Sequence, residues 1–411
     1  MRVLSIIASN IFSGPHNHDA RLNDALAQAG IETIVAVPDE PGDALARLRA
    51  EGIPVITYSS GRPLKPLSKS AAHVRYLTNL VSNVQVVRKA IRDYKIDLIQ
   101  LADPFHPHGG FAGKLEKRPV AVHVIGMGGS LMARTMGSLI TCSLADVILT
   151  NGVKTRDAYP GLKRLEARMV SYFSPIDIAR FRPDAARRKA ARAELGLAPS
   201  DIAIGYIARL HPEKDHHTCV RAVAFVRKQF PNARLIMMGG VHPGYSEYLS
   251  SIWKTAEELG LRAGVDVIHK DAGTRVADLA QSFDLGWSTG FQEGATSAVG
   301  EALALGIPMV GVGNSAVREM IEEGVNGFLV KVGDAPELGT ATNRLLEDEV
   351  LRERMGRASR ERAVRLFSTE VCASVHLHAY NAALAGVCRH ARKSVDGRPP
   401  VRESGTARMR S

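Results

Sequence analysis

Short, wholly apolar runs alternate with amphipathic helical patterns along most of this 411-residue chain. In the first half the apolar runs lie at residues 3–7, 33–37, 54–58, 97–101, 120–124 and 146–150. Fully apolar short strands separated by helices are typical of a parallel sheet that is covered on both faces. The pattern therefore predicts an α/β fold built from doubly wound parallel sheets.

A second series of apolar runs follows in the other half of the chain. Its members lie at residues 202–208, 233–239, 265–269, 285–289, 308–312 and 327–330. The segment between the series, residues 173–201, is irregular, basic and contains proline, as expected of a domain boundary. We predict an N-terminal domain at 1–178 and a C-terminal domain at 179–366. Residues 367–387 have a helical pattern, and the basic tail at 388–411 is predicted to be disordered.

Composition excludes several classes of protein. No apolar run approaches the roughly 18–20 residues that a membrane helix needs. The four cysteines form no CxxC pair, so neither a disulfide framework nor a zinc site is suggested. We therefore expect a cytoplasmic protein.

The net charge of +11 is concentrated in residues 61–95, 180–192 and 386–411. Aromatic residues are only 5% of the chain, so we expect no nucleic-acid partner, which would need aromatics interleaved with the basic residues. The basic stretch at 61–95 suggests peripheral contact with an anionic membrane, at the inner face of the plasma membrane.

Two motifs in the second half carry the candidate chemistry. Glu293 and Gly294 precede a helix that begins near Thr296 or Ser297, and Glu301 lies eight residues beyond Glu293. The start of such a helix leaves backbone N–H groups free to receive a phosphate. Farther upstream, a strand is followed by two cations, and these also lie beside a helix N-terminus, where anions are favoured. They are Arg209 and Lys214.

Together these motifs resemble the family 4 glycosyltransferases of the GT-B fold. The resemblance rests on Arg209, Lys214, Glu293, Glu301 and the segment Ala302 to Pro308, in the family's order and spacing. It implies two Rossmann-like domains that face a central cleft, with the helix at 367–387 packed back on the first domain. It also implies a retaining, metal-independent transfer of a sugar from a nucleotide-sugar donor to a saccharide, lipid-linked or small-molecule acceptor, without a cofactor.

The resemblance further implies a role for each motif residue. Arg209 and Lys214 would hold the donor diphosphate, and backbone groups at Gly294, Thr296 and Ser297 would add hydrogen bonds. The ionised carboxylate of Glu301 would accept hydrogen bonds from the ribose hydroxyls. The remaining carboxylate, Glu293, would contact the transferred sugar next to its anomeric carbon.

The chain departs from the family pattern in its N-terminal half. Many relatives have a Gly-Gly loop after the first strand, where this chain has Ser13 and Gly14; Gly14 would still allow the backbone to approach a phosphate. The histidine that many relatives carry directly before a glycine is displaced here to His123, which would contact the donor sugar or lie buried in its strand. His106 and His108 follow another strand end and are candidates for acceptor contact.

These departures keep an alternative open, a non-catalytic nucleotide-sugar-binding subunit of a glycan-assembly complex. An epimerase or phosphorylase on the same fold is less favoured, because Glu293 and Glu301 are both present and no pyridoxal-binding lysine motif is evident. A dehydrogenase is disfavoured because no GxGxxG motif follows the first strand. The segment expected to face the nucleotide base, residues 269–289, leaves uracil, guanine and adenine open.

Overall fold

The structure is a computed structural model, and it describes a large part of the chain. The described ranges are residues 1–59, 70–125, 131–241, 243–291, 296–313 and 316–386. Glu293, Gly294 and the tail at 388–411 lie outside these ranges, so the predictions made for them stay predictions.

The N-terminal domain contains a seven-stranded parallel sheet among the described residues. Its strands are β1 (Arg2–Ile6), β2 (Glu32–Pro38), β3 (Val55–Tyr58), β4 (Leu98–Leu101), β5 (Val120–Val124), β6 (Val147–Asn151) and β7 (Met169–Tyr172), in the order β3-β2-β1-β4-β5-β6-β7. Its helices are α1 (Gly14–Gln28), α2 (Ala44–Ala50), α3 (Ser70–Asp93), α4 (Pro107–Leu115), α5 (Leu131–Leu144) and α6 (Val153–Asp157). Because parallel neighbours need crossover connections, the helices cover the sheet.

The C-terminal domain contains a six-stranded parallel sheet in the described ranges. Its strands are β8 (Ile202–Ile207), β9 (Ala233–Met238), β10 (Val267–Lys270), β11 (Leu285–Ser288), β12 (Met309–Val312) and β13 (Gly327–Val330), in the order β10-β9-β8-β11-β12-β13. Its helices are α7 (Ala185–Glu194), α8 (His216–Val226), α9 (Tyr248–Glu258), α10 (Val276–Leu279), α11 (Ser297–Ala304), α12 (Val317–Met320), α13 (Ala335–Glu347) and α14 (Glu349–Phe367). A last helix, α15 (Thr369–Leu384), follows this domain in the chain. Short 3-10 helices lie at Leu162–Arg168, Pro212–Lys214, Pro243–Tyr245, Gly273–Arg275 and Ala280–Ser282.

The predicted α/β architecture with two parallel sheets is confirmed. Every apolar run singled out in the sequence overlaps a strand. The sequence pattern missed β7, which pairs with β6 alone at one edge of the first sheet. Three of its four residues are half-buried or exposed, so it carries no continuous apolar run of the kind that marks a central strand.

Helix α15 packs on the N-terminal domain although it follows the C-terminal domain in the chain. Tyr380 lies in one buried cluster with Val3 and Leu22. The two segments that connect the domains are adjacent, because the N–H of Ile176 donates to the carbonyl oxygen of Phe367 at 2.7 Å. Both ends of the described chain thus belong to the N-terminal domain.

Helix α3 directs part of its apolar stripe into the core. Of the α3 residues, Val87 and Ile91 are buried, whereas Val81 is exposed. Residues 60–69 lie outside the described ranges, so membrane contact by the basic stretch at 61–95 stays a prediction. None of the described helices combines the length and apolar character that crossing a bilayer requires.

Candidate active site

A cavity of about 360 Å³ opens at the carboxyl ends of the strands of the C-terminal sheet. Among the described residues its lining lies between Gly205 and Met309, within this domain. Five of the predicted site residues line this one cavity: Arg209, Lys214, Thr296, Ser297 and Glu301. Ligand sites in open α/β sheets are expected at this edge.

Two cations reach the cavity from the segment after β8. Arg209 is exposed and Lys214 is half-buried at the end of a 3-10 helix. The turn that carries Lys214 is anchored from both sides, because its carbonyl oxygen accepts hydrogen bonds from the hydroxyls of Tyr206 at 2.6 Å and Thr289 at 2.8 Å. The ammonium group is thereby offered to the cavity from a fixed backbone.

The N-terminus of α11 forms another wall. Thr296 caps the helix, and its Oγ1 accepts the N–H of Ala298 at 3.1 Å. The first-turn N–H groups of such a helix have no partner within the helix and favour an anion. A helix start and two cations therefore border one cavity of a size that suits a small ligand.

Gly239 allows close backbone packing behind the cations. Its φ is +156°, and a Cβ atom built there would lie 2.2 Å from the carbonyl oxygen of Ala208. A side chain at this position would displace the segment that carries Arg209. Gly273 and Val276, from the segment predicted to face the nucleotide base, also line the cavity.

Glu301 is buried and forms an ion pair across the two domains. Its Oε1 accepts a hydrogen bond from Nη2 of Arg21 at 2.6 Å, and Nη1 of Arg21 donates to the carbonyl oxygen of Pro175 at 3.0 Å. A carboxylate has several acceptor positions, so the pair leaves capacity for ligand hydroxyls. Sequence reasoning missed Arg21, since an arginine within a helical pattern carries no signal for a partner so distant in the chain.

The predicted first-loop residues do not line the described cavity. Ser13 precedes α1, and its N–H donates to Nδ1 of His16 at 3.1 Å. Nε2 of His16 lies 2.9 Å from the carbonyl oxygen of Ser9, so this ring nitrogen is the donor. Burial lowers the pKa of His16, which favours that neutral tautomer. A Cβ at Gly14 would meet nothing within 4 Å, so the start of α1 is open.

The three histidines named as candidates for sugar or acceptor contact are buried. His106, His108 and His123 are at most 1% exposed. The rings of His106 and His108 pack edge to face, and Tyr58 covers His108. Burial agrees with the alternative stated for His123, that it lies within its strand, while the acceptor contact of His106 and His108 stays a prediction. Residues that follow or end a buried strand can turn into the core as readily as toward the cleft.

A family model described as "Glycosyl transferases group 1" matches residues 187–362. The D-inositol 3-phosphate glycosyltransferase of Mycobacterium marinum is 27% identical over 276 residues, covering 66% of this chain and 58% of the relative. The putative glycosyltransferase EpsD of Bacillus subtilis is 26% identical over 228 residues, covering 55% and 56%. The chain spans about half the length of the curated relatives it matches.

Solved structures of the same architecture extend the comparison to nearly the whole chain. Anabaena HepE in complex with UDP superimposes with a TM-score of 0.79 at 19% identity, covering 93% of this chain and 100% of HepE. HepE has also been crystallised with UDP-glucose. The sucrose-phosphate synthase of Thermosynechococcus elongatus gives a TM-score of 0.72 at 20% identity, covering 94% and 99%. The fold is thus the predicted GT-B fold.

The buried His108 makes stability depend on pH. Burial and the neighbouring His106 lower the pKa of His108 to about 3, against the smaller opposing effect of Asp103. Between pH 6.5 and 3 the unfolded chain therefore binds a proton that the folded chain does not, and stability falls as the pH falls. The expected contribution is about 1.4 kcal/mol per pH unit. Urea unfolding at pH 7, 6 and 5 should show a shallower pH dependence for His108→Gln.

The matched control is His378→Gln, which replaces an exposed histidine. Its pH dependence should equal that of the wild type. If the free energy of unfolding depended on pH equally in the wild type and His108→Gln, the pH dependence could not come from the lowered pKa of His108.

The ion pair between Arg21 and Glu301 should be measurable as a coupling. Arg21→Ala leaves a buried carboxylate without this cation, with an expected cost of about 1–3 kcal/mol in the free energy of unfolding. Combined with Glu301→Gln, the loss should be smaller than the sum of the single losses by at least about 1 kcal/mol. The exposed pair of Arg2 and Glu32 is the control, with an expected coupling below about 1 kcal/mol. Additive losses at Arg21 and Glu301 would show that the pair contributes nothing.

Proposed function

We propose that this chain, whose C-terminal domain belongs to the group 1 glycosyltransferases, transfers a sugar from a nucleotide-sugar donor to an acceptor. The observation that carries the proposal is the convergence of Arg209, Lys214, the start of α11 and the buried Glu301 on one cavity. Cations and helix N–H groups suit a diphosphate, and a buried carboxylate suits vicinal hydroxyls. A UDP-sugar is the first donor to test, because the structural relative HepE binds UDP and UDP-glucose.

The transfer proceeds with retention and without a metal ion or cofactor. The bond from the anomeric carbon to the diphosphate breaks, and the acceptor oxygen forms its bond to that carbon on the same face. The acceptor proton passes to a phosphate oxygen of the leaving group. Arg209, Lys214 and the N–H groups of α11 stabilise the negative charge that grows on the diphosphate. Glu293, in its predicted role, orients the transferred sugar.

The proposed acceptor is lipid-linked or a saccharide. The enzyme is cytoplasmic and meets this acceptor at the inner face of the cytoplasmic membrane. Support comes from the apolar side chains that α5 exposes on the N-terminal domain. They are Leu131, Met132, Met136 and Leu139, which are 56–71% exposed. An exposed apolar strip of this kind is better suited to contact with lipid, or with the apolar part of an acceptor, than to contact with water. The basic stretch at 61–95 would add attraction to anionic lipid.

The first test measures nucleotide release from UDP-, GDP- and ADP-sugars, with crude lipid and saccharide acceptors. Slow release from one donor, abolished in Glu301→Ala, is the expected result and identifies the donor. Donor affinity should fall by about 1–3 kcal/mol in that variant, because the ribose hydroxyls lose their acceptor. Donor binding without release in any mixture would instead support the non-catalytic binding subunit.

Arg209→Ala tests the charge-stabilising role. Because charge grows on the diphosphate in the transition state, kcat should fall about 10²-fold while the donor KM changes much less. Steady-state kinetics with the identified donor give both constants. Arg357→Ala, which replaces an exposed arginine on α14, is the control and should keep wild-type values. An effect confined to KM would contradict the role.

A further inference from the structure

Three buried histidines from distant parts of the chain meet in the N-terminal domain. His18 comes from α1, His123 from β5 and His376 from α15, and they are 8%, 1% and 0% exposed. One potential ligand atom from each lies within 4.8 Å of the others. The ring centroids are 5.0 Å apart for His18 and His376 and 5.3 Å apart for the other two pairs. We call these residues the histidine cluster.

Each ring of the histidine cluster is oriented through its Nδ1 atom. The partners are the carboxylate of Asp19 at 3.1 Å for His18, the hydroxyl of Tyr172 at 3.2 Å for His123 and the carbonyl oxygen of Cys372 at 2.7 Å for His376. The three Nε2 atoms are buried and have no hydrogen-bond partner among the described residues. Buried polar nitrogens without a partner are unfavourable, and three in one place point to a shared ligand.

Asp19 gives an independent indication of positive charge at this place. It is 5% exposed, and its Oδ1 accepts hydrogen bonds from His18 and from Nε2 of Gln100 at 3.1 Å. Its Oδ2 has no partner in the described ranges, and a neutral His18 ring gives Oδ1 a hydrogen bond but no positive charge. A buried carboxylate without a cation is costly, and a dication on the far side of the His18 ring would supply the missing charge.

We propose that His18, His123 and His376 bind one zinc ion through their Nε2 atoms. Three imidazoles on a tetrahedral zinc with Zn–N bonds of about 2.0–2.1 Å have centroids about 5.2 Å apart, close to the separations in the cluster. Their nitrogens would lie about 3.3 Å apart, which small ring rotations achieve. Hydrogen bonds from the remaining ring nitrogens to a carboxylate, a hydroxyl and a carbonyl are the usual support of zinc-bound histidine.

The ion has a structural role that is separate from the proposed transfer chemistry. None of its three ligands lines the cavity of the C-terminal domain. The ligands instead tie α15, from the end of the described chain, to α1 and β5 of the N-terminal domain. Metal binding would therefore hold the returning helix in place and add its free energy to folding.

The test uses the full chain, expressed without a polyhistidine tag, and measures its metal content by mass spectrometry. After dialysis against metal-free buffer we expect about one zinc per chain. Removal by a chelator should lower Tm, and added zinc should restore it. Cobalt in place of zinc should give the strong visible absorption of a tetrahedral site. These readouts need no variant and no activity.

Variants then assign the ligands. His376→Gln and His18→Gln should lose stoichiometric zinc and the zinc-dependent rise in Tm. Asp19→Asn should bind zinc about 10–100-fold more weakly, since it removes the support of one ligand. His216→Gln replaces a buried histidine of the C-terminal domain and should bind like the wild type. The proposal is overturned if the wild-type chain retains no zinc and its Tm does not change when zinc is added. It is also overturned if His376→Gln binds as much zinc as the wild type.

Discussion

Parallel pairing in both sheets is the constraint on which the rest of the structure depends. Every crossover returns the chain to the same starting edge, so all strands of a sheet deliver their carboxyl ends to the opposite edge. In the C-terminal domain this places the segment after β8, which carries Arg209 and Lys214, beside the start of α11. The topology alone brings the charged groups of the site together. Gly239 contributes only by having no side chain that would clash with the carbonyl oxygen of Ala208 at that edge.

The sequence predicted the parts of the fold and site that follow from local pattern. Apolar runs located the central strands, and the motif residues Arg209, Lys214 and Glu301 do share a cavity. Edge strand β7 escaped because its exposure breaks the pattern. The pairing of Arg21 with Glu301 escaped for a different reason. It joins residues far apart in sequence, and nothing in either neighbourhood encodes the other.

The histidines show where local reasoning has least power. The sequence placed His106 and His108 near a strand end that faces the cleft and left His123 open between sugar contact and burial, and all three side chains are buried. The choice between core and cleft depends on what packs above the residue. For His123 the answer comes from Tyr172 on β7, which lies beyond β6 in the sheet, and from α15, which returns after the entire second domain. The spacing of the cysteines gives no information about a zinc site formed by three histidines from distant parts of the chain.

The adjacent connections between the domains limit how the cleft can move. In topological terms the C-terminal domain is an insertion into the N-terminal one, entered near Ile176 and left near Phe367, where the two segments are hydrogen-bonded. Two linkers that are hydrogen-bonded to each other restrict the relative rotation of the domains more than a single linker would. Arg21 donates both to Glu301 and to the carbonyl oxygen of Pro175, so this ion pair lies beside the two linkers. A ligand that hydrogen-bonds to Glu301 would share this carboxylate with Arg21, so the residue that holds the ligand is also bonded to the junction between the domains.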